Sequence, residues 1–561
     1  MLVDNKPLAA LVLAIAIPLL LRLLLPLLPG KVSSSVSSHS HSSTAGLLGR
    51  PRTDAPGFKG LPIIGNALML ADYVRTHSVI KLWVRVSEHF GPVASFPALF
   101  LQFVIVADHH LARWILATPD LFGTNMAFRN AFAPFSNGLL VLPAITDTWK
   151  THRKLVAPVF SVKHLRLALD VVHARTDDLI AFWLARHAAP DSRPANVHAH
   201  LTAATFDMIG GIAFSYNPGS LKAFADSPDD DAARRATSKA ARLEYAINQA
   251  VDGSVRRAPL PGFLWKLIFG PSGERRWRDH IAYVRSEVRN IMMKRTGADS
   301  DSAEQAPREG VAADVADVLD RLLAENKKEG GKRLSDEEVI DEVLMFFLAG
   351  HETTANTLVW TLLKLTEYPA IAAKLRAELD TVLGPGDSHA SYDDLQTLPY
   401  LAQVIKEVMR VHPVAATIPR QLLADTHIGG YFVGKGTIVN LNVTQIHVSR
   451  AVYGPDAHVF RPERWEDGWA PEPGGYVPFG HGPKGCIGEK LALMELKAIL
   501  SRIVKKFDFD IVLDQALLPV HAITVGLKHG LLLRLKERNP GGAAAEKSVE
   551  GPTTTAAPVA S

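Results

Sequence analysis

An almost wholly apolar stretch lies at the start of the chain, where Leu8 to Leu28 is interrupted only by Pro18, Arg22 and Pro26. About 20 apolar residues suffice to cross a bilayer. Ser33 to Ser35 come after Lys31 and lack the alanines of a cleavage site, while Lys31, Arg50, Arg52 and Lys59 outnumber Lys6 on the other side. That asymmetry predicts a membrane anchor over residues 1–30 with everything after it on the cytosolic side. Residues 31–56, Ser/His-rich, read as a flexible linker, and 539–561, rich in Ala, Thr, Pro and Gly, as a disordered tail.

Between them the pattern changes. Val93 to Phe96 and Leu101 to Val106 carry the β-branched and aromatic residues of a hairpin around Pro97, and most of the chain beyond Val106 repeats at helical spacing. Ser335 and Glu338 form a capping box, after which an apolar run continues to Glu367 before Tyr368-Pro369. A helix over 335–367 is about 48 Å long, enough to cross a domain. Within it Ala349-Gly350-His351-Glu352-Thr353-Thr354 collects poor helix formers, which predicts a strained or widened turn. Phe263, Leu264, Trp265, Leu267, Ile268 and Phe269 form an apolar patch, bounded by prolines, that could touch a membrane interface. The expected fold class is mainly α with small β-sheets (α+β), in one large helical domain over 57–538 that no internal linker divides.

Composition narrows the chemistry. A formal charge of +4 is too small to imply nucleic acid, and no zinc-finger or repeat spacing appears. Cys486 is the only cysteine in 561 residues, so there is no disulfide within the chain and no cysteine cluster for a metal. It sits in F-G-H-G-P-K-G-C-I-G, Phe479 to Gly488, whose glycines let backbone approach a planar ligand and the sulfur closely. Leu493, Leu496, Ile499, Leu500 and Ile503 then mark a helix whose N-terminal dipole favours a thiolate. Such a sulfur suits an axial ligand of heme iron.

This loop resembles the heme-binding loop of the cytochrome P450 monooxygenases, and Trp149 with Arg153, Glu352 with Thr353, and Glu407 and Arg410 with Arg464 resemble further motifs of that family in the same order. The resemblance implies a cytochrome P450 fold around a buried heme b, with Cys486 as the iron ligand and Phe479 beside it. Trp149, Arg153, Arg420 and Lys484 would hold the propionates; the family usually has arginine where Lys484 stands, and lysine keeps the charge but loses the planar fork. Glu352 as acid and Thr353 as alcohol would relay protons from water to dioxygen. Glu407, Arg410 and Arg464 would form a buried structural lock that is not catalytic. Phe346, Ala349, Val414, Ala416, Ile418 and Ile523 suggest an apolar pocket for a fatty acid, terpenoid, sterol or polyketide.

No dinucleotide fingerprint comes after a strand, so the implied electron donor is an NADPH-cytochrome P450 reductase, with cytochrome b5 a further partner. Lys150, Arg153, Lys154, Lys484 and Lys490 would offer it a basic face. The expected location is the endoplasmic reticulum membrane, single-pass, with the catalytic domain cytosolic. Two rival functions stand beside this one: a heme-thiolate isomerase or dehydratase acting on a peroxide, against which the Glu352-Thr353 pair counts because such chemistry needs no proton relay, and a non-catalytic heme-binding sensor or carrier.

Overall fold

The computed structural model describes residues 52–538, apart from breaks at 62–63, 77, 100, 133–134, 144–145, 227–230, 258–261, 298–314, 328–333, 385–387 and 522. The anchor, the tail and all but the end of the linker lie outside the described residues. Among the described residues no helix is long and apolar enough to cross a membrane.

Helices dominate, as the pattern predicts, with four small sheets set around them among the described residues. Val93–Ala98 and Leu101–Val106 do pair as an antiparallel hairpin, but Pro97 lies within the strand, opposite Gln102, and Leu99 at φ 52 takes up the reversal. The proline is tolerated because its strand is the outer one and the missing N–H leaves no ladder bond unmade. The hairpin's second strand runs parallel to Ile438–Asn442, which is joined by Thr417–Leu422 and then Phe122–Gly123 in a 5-stranded sheet.

The central helix, Asp336–Glu367, starts and stops where its sequence signals. Ser335 Oγ accepts from the Glu338 N–H at 3.2 Å, and Glu338 Oε2 accepts from the Ser335 N–H at 2.8 Å. Tyr368, ahead of Pro369, closes the other end by donating its N–H to Lys364 at 2.9 Å. Val343, Leu344, Phe347, Ala355, Leu358 and Leu362 are all buried, so apolar neighbours surround the helix on nearly every side.

The widened turn expected near Gly350 is not formed: the α-helix runs through it unbroken. Gly350 serves packing instead, since a Cβ there would stand 2.5 Å from Ile209 on helix Val197–Phe214. The hydroxyls engage spare carbonyl lone pairs without opening the ladder. Thr353 Oγ1 donates to Ala349 O at 2.7 Å, and Thr205 Oγ1 donates to His351 O at 3.0 Å.

Glu407 and Arg410 lie on helix Pro399–Val411 and are fully buried. Arg410 grips the carboxylate through Nε and Nη2 at 2.8 and 2.7 Å and spends its other donors on His447, Ala457 and Val459 carbonyls. Trp465 Nε1 and the Arg461 N–H complete the carboxylate at 2.9 Å each, and Arg464 Nε stands 3.5 Å away. Pro462–Trp465 opens a 3₁₀ turn with Pro462 at its start, where a missing N–H costs nothing.

In the apolar patch the helix Gly262–Thr296 kinks at Gly270, ahead of Pro271. Phe269 lies under the Arg257 guanidinium at 4.2 Å, and Trp265 meets Trp277 edge-on at 5.8 Å. Both rings thus have partners within the chain.

Candidate functional site

The cysteine loop folds on itself through backbone hydrogen bonds: Cys486 N–H to Phe479 O at 2.8 Å and Gly485 N–H to Gly482 O at 2.9 Å. Gly482, at φ 69, lies so close to helix His109–Ala117 that a Cβ would be 2.5 Å from the Leu116 carbonyl oxygen. Only glycine seats the loop there. Helix Glu489–Lys506 begins just past the cysteine. Burial pushes the Cys486 thiol up, and the Glu489 carboxylate adds to this; the N–H groups of Gly488 and Glu489 and the Arg153 charge pull the other way. The side chain is nevertheless open to solvent. The residue is thus crowded by protein on one side and open on another.

Cations gather beside it. Arg153, on helix Asp147–Val156, lies 5.4 Å from the ring centre of Trp149 and donates to Gly485 O at 3.2 Å. Arg420 is held well inside the fold, where burial pushes it down to about 10, and it bonds to the neighbouring Pro419 carbonyl at 3.0 Å. Lys484 is pushed down to about 7 by burial and then by Arg420 and Arg153. Among the described residues none of the three has an ion pair with a carboxylate. An accessible sulfur with nearby cations lacking counter-ions fits heme, a flat group that brings its own two carboxylates.

The three cations do not fit equally. Arg153 and Arg420 each spend one N–H on a carbonyl and keep the rest of the fork. Lys484 Nζ donates to Leu139, Leu140 and Leu142 carbonyls at 3.1, 3.1 and 2.9 Å while lying 5.4 Å from the Trp149 ring. An ammonium has three donors, and all are used. In this arrangement Lys484 ties segment 139–142 to the cysteine loop, so a propionate would have to displace one of those bonds.

Phe346, Ala349 and Thr353 recur at helical spacing on the central helix, where Phe346 stacks on Phe160 at 6.0 Å and Ala349 is exposed. Val414 and Ala416 precede strand Thr417–Leu422, which carries Ile418; the Ile418 Cδ1 atom lies 4.0 Å from a Cβ built on Gly480. The Val525 N–H donates to Val414 O at 2.9 Å, which docks the hairpin bearing Ile523 beside that segment. Ala416 itself is buried.

Glu352 turns off this face into a polar cavity of about 940 Å³, also lined by His198, His200, Glu244, His351 and Ile523. Burial raises its carboxyl, and a hydrogen bond from Thr524 Oγ1, at 2.6 Å, opposes that rise. Asn356 Nδ2 donates to the same hydroxyl oxygen at 3.0 Å. Thr524 and Asn356 escape a reading of the sequence because neither belongs to a motif and each meets Glu352's group from far along the chain or a turn away. His152 and Glu342 escape it too. They are wholly buried, with Nδ1 2.6 Å from Oε1, and join the Arg153 helix to the central helix. A carboxylate inside the apolar run 339–348 was the available signal.

The family model described as cytochrome P450 matches residues 55–529. Human cytochrome P450 4V2 is 30% identical over 503 residues, covering 86% of this chain and 89% of its own length. The 11-oxo-beta-amyrin 30-oxidase of Glycyrrhiza uralensis is 30% identical, covering 68% of this chain and 69% of its own. Rat cytochrome P450 3A9 is 29% identical, with 65% and 68% covered. By this match over most of its length, the chain belongs to the cytochrome P450 family and is a P450 monooxygenase.

Proposed function

We propose that this monooxygenase hydroxylates a lipophilic small molecule, with heme b held through Cys486 and electrons delivered by an NADPH-dependent diflavin reductase. The observation that carries it is the accessible sole cysteine beside Arg153 and Arg420, which among the described residues have no ion pair with a carboxylate. Bound heme supplies the activation of dioxygen and the oxidation itself. One oxygen atom goes to product and the other to water, so each turnover needs two electrons and two protons.

The chain's own residues orient and protonate. Arg153 and Arg420 pair with propionates, with Trp149 and Phe479 flanking. Phe346, Ala349, Val414, Ile418 and Ile523 give the substrate an apolar surface with Ala416 behind, which suits a fatty acid, terpenoid, sterol or polyketide; one relative is named as an oxidase of 11-oxo-beta-amyrin. Glu352 takes protons from the water-accessible cavity and Thr353 passes them across the helix. Lys150, Lys154 and Lys490 are exposed on the thiolate side and offer a basic face to an acidic donor, whereas Arg153 and Lys484 turn inward.

Thr353→Ala tests the relay and the competing isomerase reading together. The hydroxyl is lost while the sulfur and the cations stay, so substrate still binds. NADPH consumption should continue while product per NADPH falls several-fold and peroxide rises. An unchanged ratio would remove Thr353 from the mechanism, and turnover of a peroxide without any donor would favour the isomerase.

The same reading places the catalytic domain on the cytosolic face of the endoplasmic reticulum, held by residues 1–30. Deleting residues 1–44 should leave heme bound and convert integral attachment into one that carbonate wash removes. Carbonate-resistant retention of the truncated protein would refute a single anchor.

A further inference from the structure

Helix His109–Ala117, which seats the cysteine loop at its C-terminal end, opens at the other end with adjacent imidazoles. Asp108 caps it, Oδ1 accepting from the Leu111 N–H at 2.8 Å, and the rings of His109 and His110 lie side by side, tilted at 36° with centroids 3.9 Å apart. A single carboxylate oxygen, Glu472 Oε2, stands 3.2 Å from His109 Nε2 and 3.5 Å from His110 Nε2. We propose that His109, His110 and Glu472 bind one divalent transition ion of the Zn²⁺ class, as a site separate from the heme.

The spacing is the first argument. Tetrahedral zinc with bonds of about 2.0–2.2 Å sets its ligand atoms about 3.3–3.6 Å apart. The two distances from the imidazole nitrogens to the carboxylate oxygen match that to within about 0.1 Å. Two imidazoles exclude the hard, oxygen-seeking ions Mg²⁺ and Ca²⁺ and favour Zn²⁺, Cu²⁺ or Ni²⁺.

Preorganisation is the second. His109 is 13% exposed, so packing already fixes its ring, while His110 and Glu472 are 69% and 68% exposed and leave room for water at the remaining position. Contacts other than the carboxylate hold the acidic segment in place. Gly474, at φ 97, lies so close that a Cβ would stand 2.1 Å from the His109 carbonyl oxygen, a contact that only glycine permits. The Gly475 N–H donates to Glu472 O at 2.8 Å, and Tyr453 Oη donates to Gly475 O at 2.9 Å. The backbone of Glu472 is thereby set against the histidines before any ion arrives.

The site joins two parts that both lead to the cysteine. The far end of the helix, Leu116, backs Gly482, and the segment of Glu472 runs on into the loop of Cys486. An ion here would staple that segment to the helix.

The test uses the full-length heme protein in detergent, stripped with chelator and titrated with Zn²⁺ against a chromophoric chelator. One saturable site is expected, undiminished by millimolar Mg²⁺ and weakened by at least about tenfold in both His110→Ala and Glu472→Gln, as befits loss of a ligand. Both side chains are largely exposed, so neither variant threatens the fold, and unchanged heme content checks this. His39→Ala/His41→Ala controls for the linker histidines and should leave the site intact. Absence of a saturable site, its survival in either variant, or its loss in the linker control overturns the proposal.

Discussion

A Cys486→Ser protein, reduced and exposed to carbon monoxide, is expected to lack the red-shifted band of thiolate-ligated heme, and its hydroxylation should fall below detection. No other cysteine can take over, since Cys486 is the only one. The substitution changes one atom. Backbone bonds that shape the loop, Cys486 N–H to Phe479 O and Gly485 N–H to Gly482 O, do not involve the side chain. The cations Arg153 and Arg420 also stay, so heme can still associate through its propionates. What is lost is the soft, electron-donating sulfur, which a serine hydroxyl with its far higher pKa does not replace. Retention of the band in the mutant would mean that some other group holds the iron, and the assignment of Cys486 would fall.

Glu407→Ala should be the most damaging substitution outside the heme site. It removes the carboxylate that Arg410 grips with two bonds and leaves a guanidinium with no solvent exposure and no counter-charge. Breaking one side of a buried pair costs about 3–5 kcal/mol, against a total stability of about 5–15 kcal/mol for a typical domain. Trp465 Nε1 and the Arg461 N–H lose their acceptor as well. The expected result is protein that aggregates on expression or, if recovered, unfolds at a markedly lower temperature and releases heme. Removing the charge on both sides, as in Glu407→Gln with Arg410→Met, should recover part of the loss because no lone charge remains. A Glu407→Ala melting temperature equal to wild type would show that the lock does not hold the fold.

Elements whose cause is local were readable in the sequence. The capping box at Ser335 and Glu338 is satisfied three residues apart, and the proline after Tyr368 ends the helix by its own geometry. The cysteine loop was readable because its glycines are demanded by the backbone: no other residue fits where Gly482 meets Leu116. Elements whose cause is distant were not. Gly350 looked like a helix weakness, whereas its reason is Ile209 on another helix. Lys484 sits where the motif puts it, yet its partners, the carbonyls of Leu139, Leu140 and Leu142, depend on the path of a segment some 340 residues earlier. The same holds for Thr524 on Glu352, a contact across 172 residues. The charge and spacing of a motif are local, but the hydrogen bonds that decide what a side chain has left to give are tertiary.

The bond from Thr524 to Glu352 also bears on how catalysis is timed. Ile523, which on the proposed reading touches substrate, and Thr524, which restrains the Glu352 carboxyl, are consecutive residues in one short hairpin, so that a shift of one bears on the position of the other. On that reading, a molecule that fills the pocket would move the latch on the acid as it settles, whereas a small or badly shaped one would leave it fastened. Fidelity would then be enforced before any oxidant exists, by withholding protons from an ill-fitting guest.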